Sequence, residues 1–122
     1  MPHTMIGGSD IAYAKGDVVL VPFPFTDLAA ARVRPAVVVS SDAYNSGADV
    51  IVAMVTSQRH TGTTDCSVRD WREAGLLYPS WVRAKLAALE QKLVQYSPGQ
   101  LSARDIQSVE QRISRALGLS VR

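Results

Sequence analysis

Cysteine and histidine are almost missing from this sequence: Cys66 is the only thiol, and His3 and His60 are the only imidazoles. One thiol cannot build an internal disulfide framework. Neither zinc-ligand spacing nor a paired-histidine site can be assembled from so few ligands. A cysteine nucleophile needs an activating base, and Cys66 has only the distant His60 to offer. No apolar run approaches the roughly 20 residues that span a bilayer, so no membrane partner is expected. Residues 1–10 lack the basic and apolar stretches of a signal peptide. Together with the lone thiol, this makes the cytoplasm the expected location. A glycine-rich phosphate loop is also missing, since Gly7-Gly8 has no lysine at the required spacing. Asp27, Asp42 and Asp49 could serve a magnesium ion, but no spacing singles them out, and such aspartates more often cap turns or face water. The chemistry left is that of arginine and hydroxyl side chains, with no cofactor and no metal expected.

What is present fits one domain. The chain has 122 residues, 47% hydrophobic and 20% charged, enough to bury a core. Residues 1–14 carry Gly7, Gly8 and Ser9 without any period, and read as a flexible N-terminal arm ahead of a domain spanning 15–122. The net charge of +2 is too small to announce a nucleic-acid binder. Ten of the thirteen basic residues are arginine, whose planar fork grips phosphate, although a GC-rich genome gives the same bias.

The β-branched run at 17–21, ending at Pro22, reads as a buried strand. Strong strands are also expected at 36–40 and 49–56, with a turn at Tyr44-Asn45-Ser46-Gly47 between them. A short strand is expected at 65–68, a turn or single helical turn at 70–74, and weaker strands at 80–85 and 92–96. Ser102 with Asp105 three residues on resembles a capping box. Ile106, Val109, Ile113 and Leu117 then form an apolar stripe at helical spacing, and Gly118 supplies a stop. Short strands closed by a helix predict a mainly β (α+β) fold: a small, strongly bent sheet or barrel of about five to seven strands with a C-terminal helix.

Several segments carry a resemblance. Gly16-Asp17-Val18-Val19-Leu20-Val21 followed by Pro22-Phe23-Pro24-Phe25-Thr26-Asp27-Leu28 is similar to the opening of MazF/PemK-like toxins. Arg34-Pro35-Ala36-Val37-Val38-Val39-Ser40 resembles the next segment of that family, and Tyr44-Asn45, Val50-Ile51-Val52-Ala53 and Thr56-Ser57-Gln58 follow in its order. Ala74-Gly75-Leu76, Pro79-Ser80-Trp81-Val82-Arg83 and Gly99-Gln100-Leu101-Ser102 complete a likeness covering about residues 15–119. The resemblance implies an SH3-like barrel of the MazF/CcdB kind, working as a homodimer and silenced by a cognate antitoxin. The implied activity is metal-independent, sequence-selective cleavage of single-stranded RNA, messenger RNA first among its targets. Its implied course is attack by the ribose 2′-hydroxyl to leave a 2′,3′-cyclic phosphate. Two alternatives stay open: a CcdB-like toxin that binds DNA gyrase, and a degenerate relative that only binds RNA or antitoxin.

By the same resemblance, Arg34 and Thr56 take the catalytic positions. A bidentate guanidinium suits a phosphate gathering negative charge, whereas its permanent positive charge makes it a poor proton carrier. Arg34 could instead be a junction residue paired with Asp17 or Asp27, and Thr56 an ordinary β-branched strand residue. Thr26, Asp27, Arg32, Ser57, Gln58, Arg59 and Lys85 are the candidates for RNA contact. Ser57 would face away from Thr56 in a continuing strand, and Lys85 could bind phosphate or only solubilise an edge. The chain departs from its relatives at Ala29-Ala30-Ala31, where many carry serine or glycine. Trp71, Trp81 and Tyr44 could stack on bases, but their apolar or turn-forming neighbours suggest core or interface packing.

Overall fold

A computed structural model describes residues 13–23, 32–59 and 61–119. Among the described residues six strands form one antiparallel sheet: β1 (Asp17–Phe23), β2 (Arg32–Val38), β3 (Asp49–Thr56), β4 (Cys66–Ser67), β5 (Trp81–Glu90) and β6 (Tyr96–Gln100). Their spatial order is β4-β5-β3-β2-β1-β6, and the sheet curls into a half-barrel. One turn of helix, α1 (Asp42–Asn45), links β2 to β3, and α2 (Ala103–Leu117) closes the fold.

The strands read as near-continuous valine runs because both faces of the sheet are buried. Along β1 to β3 successive side chains alternate between two cores. One holds Val18, Val37, Ala53, Val55, Val82, Leu101 and Val109, and α2 covers it. The other holds Val19, Val21, Phe23, Ala36, Val38, Val52 and Met54. Tyr13, Ala87 and Val94 pack at its margin.

Several boundaries differ from those expected. The second strand starts at Arg32 rather than 36, because Arg32, Val33 and Arg34 are exposed and pair with β1 without any burial to pattern them. The expected turn around Tyr44 is helical, capped by Ser41, whose hydroxyl accepts the Tyr44 N–H. The expected strand at 92–96 is instead a 3-10 turn at Gln91–Leu93, and the strand begins at Tyr96. Its sequence, Tyr-Ser-Pro-Gly-Gln, has little strand propensity, and it forms as an irregular edge strand against β1, where proline and glycine are tolerated. Tyr13 and Ala14 belong to the fold, since the Tyr13 carbonyl accepts from Asn45 Nδ2 and the Ala14 N–H donates to Asp17. The rest of the expected arm, residues 1–12, lies outside the described residues.

The helix start couples two parts of the chain. Ser102 caps α2 by accepting the Asp105 N–H at 3.3 Å. In a capping box the Asp105 carboxylate would turn back to the cap. Here it is buried and accepts the N–H groups of Arg69 (3.0 Å) and Asp70 (2.8 Å). Asp70 in turn receives both Nε (2.8 Å) and Nη2 (2.7 Å) of Arg104. The turn at 69–75 is thereby stapled to the first turn of α2. At the other end Gly118, at φ +71°, closes a Schellman motif in which the Leu119 N–H reaches the Ser114 carbonyl at 2.9 Å. The apolar stripe is shorter than its spacing suggested: Val109 is buried and Ile106 and Ile113 partly so, but Leu117 is 56% exposed. No helix among the described residues is long and apolar enough to cross a membrane.

Asp105→Ala leaves the part-buried Arg69 and Asp70 amides without their acceptor, so it is expected to lower stability by about 1–3 kcal/mol in denaturant unfolding. The Arg104 hydrogen bonds, then that of Ser102, hold the Asp70 carboxyl down at about 2. A carboxylate with a depressed pKa stabilises the fold above its unfolded value of about 3.9, and that contribution fades as pH falls towards the folded value. Arg104→Ala removes this contribution, so it should lower stability at neutral pH, with the difference from wild type shrinking as pH falls from about 4 towards 2; added salt reduces the neutral-pH difference.

Candidate active site

The β2–β3 pairing ends at Ala36↔Met54, although β2 reaches back to Arg32 and β3 runs on to Thr56. Pro35, which has no N–H to give a ladder, stands where the pairing stops. A cleft of about 650 Å³ opens at this point. Leu20, Pro35, Val55, Leu76 and Pro98 give it an apolar lining. Arg34, Thr56, Ser57, Gln58 and Ser80 supply its polar groups, and Leu77, Tyr78 and Tyr96 also line it.

Arg34 and Thr56, widely separated in sequence, thus share one cavity. Arg34 is exposed and has no carboxylate partner among the described residues. Asp17, one suggested partner, is occupied by the Ala14 N–H (2.8 Å) and by Gln100 Nε2 (2.9 Å). Asp27, the other, lies outside the described residues. Thr56 Oγ1 accepts the Gln58 N–H at 3.1 Å. That bond fixes the hydroxyl oxygen through a lone pair and leaves its proton to be donated elsewhere. The described lining contains no carboxylate, imidazole or thiol. Among the described residues no group of three or more His, Cys, Asp or Glu side chains is gathered for a metal ion. A guanidinium unpaired among the described residues, with hydroxyl and amide donors beside it, suits a phosphodiester, whose negative charge needs fixed donors rather than protons.

The other candidates divide. Ser57 and Gln58 line the cleft beside Thr56. Arg32, Arg59 and Lys85 do not line it. Lys85 instead sits with its Nζ 5.4 Å from the centre of the Phe23 ring, and Arg32 pairs with Phe23 across the β1–β2 ladder. Thr26, the Ala29–31 stretch and His60 fall outside the described residues. Trp71 packs against the α2-covered core beneath the Arg72 guanidinium, 4.9 Å away; Trp81 is half-buried on β5, and Tyr44 lies on α1. None of the three lines the cleft. Cys66 is buried; burial first, and Asp105 with it, pushes its thiol up, against the opposing pull of Arg112 and Arg69. It is therefore a core residue and not a nucleophile.

Residues 14–117 match the family model described as "PemK-like, MazF-like toxin of type II toxin-antitoxin system". The chain belongs to this family. A search among curated proteins gives no match. Among solved structures, this MazF-like toxin is similar to an endoribonuclease from a mycobacterial species, with TM-score 0.75 and 22% identity over 92% of this chain and 97% of that one. It is similar to a mycobacterial endoribonuclease in complex with its cognate antitoxin, with TM-score 0.74 and 21% identity, covering 91% of this chain and 100% of the other. A MazE-MazF structure from Deinococcus radiodurans gives TM-score 0.70 and 21% identity over 91% of this chain and 100% of the other. At these identities the likeness establishes the half-barrel fold.

Tyr78 and Tyr96 were not singled out by sequence, because neither sits in a patterned strand or helix interior. What places them in this MazF-like cleft is a backbone contact. Gly75, at φ +82°, lies so close to β6 that a Cβ there would fall 2.6 Å from the Pro98 carbonyl oxygen. A Cβ on Gly99 would fall 2.5 Å from the Ala74 carbonyl oxygen. Two glycines facing each other let the 74–78 segment lie directly on β6. Gly99→Ala must push these backbones apart, and is expected to cost about 1–3 kcal/mol by thermal or denaturant unfolding. The same displacement should lower activity at the cleft by more than the loss of folded protein accounts for.

Proposed function

We propose that this protein is the toxin of a type II toxin–antitoxin pair and a sequence-selective endoribonuclease acting on single-stranded RNA without a metal. The observation that carries the reading is the convergence of Arg34 and Thr56 in one cleft of a MazF-like chain, with Arg34 exposed and unpaired among the described residues. In this reading the 2′-oxygen of a ribose attacks the adjacent phosphorus. The bond from phosphorus to the 5′-oxygen breaks, the 2′-proton is given up to solvent or a base, and the leaving 5′-oxygen takes a proton. The products are a 2′,3′-cyclic phosphate and a 5′-hydroxyl. Arg34 holds the phosphoryl oxygens as their charge rises, which is electrostatic work that its permanent positive charge suits. The Thr56 hydroxyl, anchored by the Gln58 N–H, donates to the phosphate or orients the 2′-hydroxyl. Ser57 and Gln58 offer donors to the neighbouring nucleotides. Arg32, Arg59 and Lys85 would then meet RNA only beyond the described lining of the cleft, while Thr26 and Asp27, outside the described residues, stay candidates for RNA contact in this reading.

The working unit in this reading is a homodimer in the cytoplasm. Its partner is an antitoxin whose C-terminal segment, disordered alone, folds into the RNA groove and blocks it. The gyrase-binding alternative typically needs a tryptophan near the end of the last helix, and both tryptophans precede α2.

The purified protein, free of antitoxin and in excess chelator, is expected to cut a mixed-sequence single-stranded RNA at a few short motifs and leave cyclic-phosphate ends. Arg34→Ala should lower kcat by about a hundred-fold or more, and Thr56→Ala by roughly ten- to a hundred-fold. Intact RNA with folded wild-type protein, or full activity in Arg34→Ala, would overturn the assignment.

A further inference from the structure

Two large aromatic side chains flank the cleft and stay mostly in water. Tyr78 is 63% exposed and Tyr96 is 62% exposed, and both line the cavity that holds Arg34 and Thr56. Neither belongs to either hydrophobic core. Leaving most of a tyrosine ring in water forgoes the burial that usually justifies an aromatic residue. Each ring nevertheless springs from anchored backbone. The Tyr78 carbonyl accepts the Ser80 hydroxyl at 2.6 Å, and the Ser80 carbonyl accepts the Val68 N–H at 2.9 Å. Tyr96 opens β6 opposite Leu20, flanked by the Gln95 N–H donating to the Leu20 carbonyl (2.9 Å) and the Ser97 hydroxyl donating to the Val18 carbonyl (2.8 Å). The Gly75–Gly99 contact joins the two segments that carry these rings, so they mount on one rigid unit.

We propose that Tyr78 and Tyr96 are stacking platforms for the bases next to the phosphate held by Arg34. The inference rests on the nuclease reading for the identity of that phosphate. Its own support is the alternation of a cation, unpaired among the described residues, with exposed aromatic rings inside one cleft, which matches the alternation of charged phosphate and flat apolar base along a single strand. A cavity of about 650 Å³ is too large for a bare phosphate and within the range of ligand clefts. Stacking accepts any base, because every base has a π-face. Base selection in this arrangement falls to donors and acceptors such as the Gln58 side chain, while the tyrosines supply affinity and hold the scissile bond against Arg34.

The test measures anisotropy of a labelled, mixed-sequence single-stranded 2′-O-methyl RNA, which has no free 2′-hydroxyl to react, against the full-length protein. Tyr78→Ala and Tyr96→Ala are each expected to weaken binding by about ten-fold or more, and Tyr78→Phe and Tyr96→Phe to restore it, since the ring and not the hydroxyl stacks. In steady-state cleavage the alanine variants should raise KM more than they lower kcat. Alanine variants that bind like wild type overturn the proposal, as does a phenylalanine variant that fails to rescue. Tyrosine-dependent binding by a protein that cuts no RNA would support the platforms and sink the nuclease reading. Efficient cleavage with tyrosine-independent affinity would do the reverse. Wild-type protein that binds no single strand overturns both.

Discussion

Where residues 74–75 meet 98–99, two stretches of backbone approach more closely than any Cβ would permit. Neither stretch is a regular core element: one is the end of a turn and the other a short edge strand containing proline and glycine. Their contact brings the turn after β4 onto β6 and gives the cleft its paired walls, with Leu76, Leu77 and Tyr78 on one segment and Tyr96 and Pro98 on the other. The turn is also fixed from behind. The buried Asp105 carboxylate holds the amides of Arg69 and Asp70, while Arg104 clasps the Asp70 side chain. Helix α2 serves this fold less as a recognition element than as a brace for the turn that builds the site.

The floor of the cleft comes from a different constraint. A six-stranded sheet buried on both faces has little room for polar chemistry, and the two cores are almost entirely apolar. Chemistry becomes possible only where the sheet stops pairing. Beyond Ala36 and Met54 the strands β2 and β3 separate, with Pro35 at the point of release. Arg34 and Thr56 are the first polar residues past that opening on their respective strands. Strand ends on a rigid sheet hold side chains more firmly than a free loop would, which suits electrostatic catalysis because preorganised donors need not reorient as charge develops.

The loop that follows Thr56 is tied down by the same helix. Arg112 donates to the Asp65 carbonyl and Arg115 to the Thr63 carbonyl, the latter at 3.0 Å. The polar segment leading from Ser57 and Gln58 is therefore anchored at its far end to α2, just as the 69–75 turn is anchored at the start of that helix. Both flanks of the cleft converge on one element.

Much of this protein was legible in its sequence. The valine runs announced the central strands, and the spacing of Ile106, Val109 and Ile113 with Ser102 and Gly118 at the ends announced α2. Burial imposes those patterns directly, so they survive in one dimension. The likeness to MazF/PemK toxins singled out Arg34 and Thr56, which the fold then brings to one cavity. Only the tertiary structure decided the rest. Arg32 to Arg34 form a strand through hydrogen bonding to β1 without burial, β6 forms from residues of poor strand propensity, and Asp105 looked like half of a capping box but pins a distant turn. Tyr78 and Tyr96 carry no local signal at all. Their place beside Arg34 follows from the meeting of Gly75 with Gly99, and a contact between backbones distant in sequence leaves no periodicity for a sequence to show.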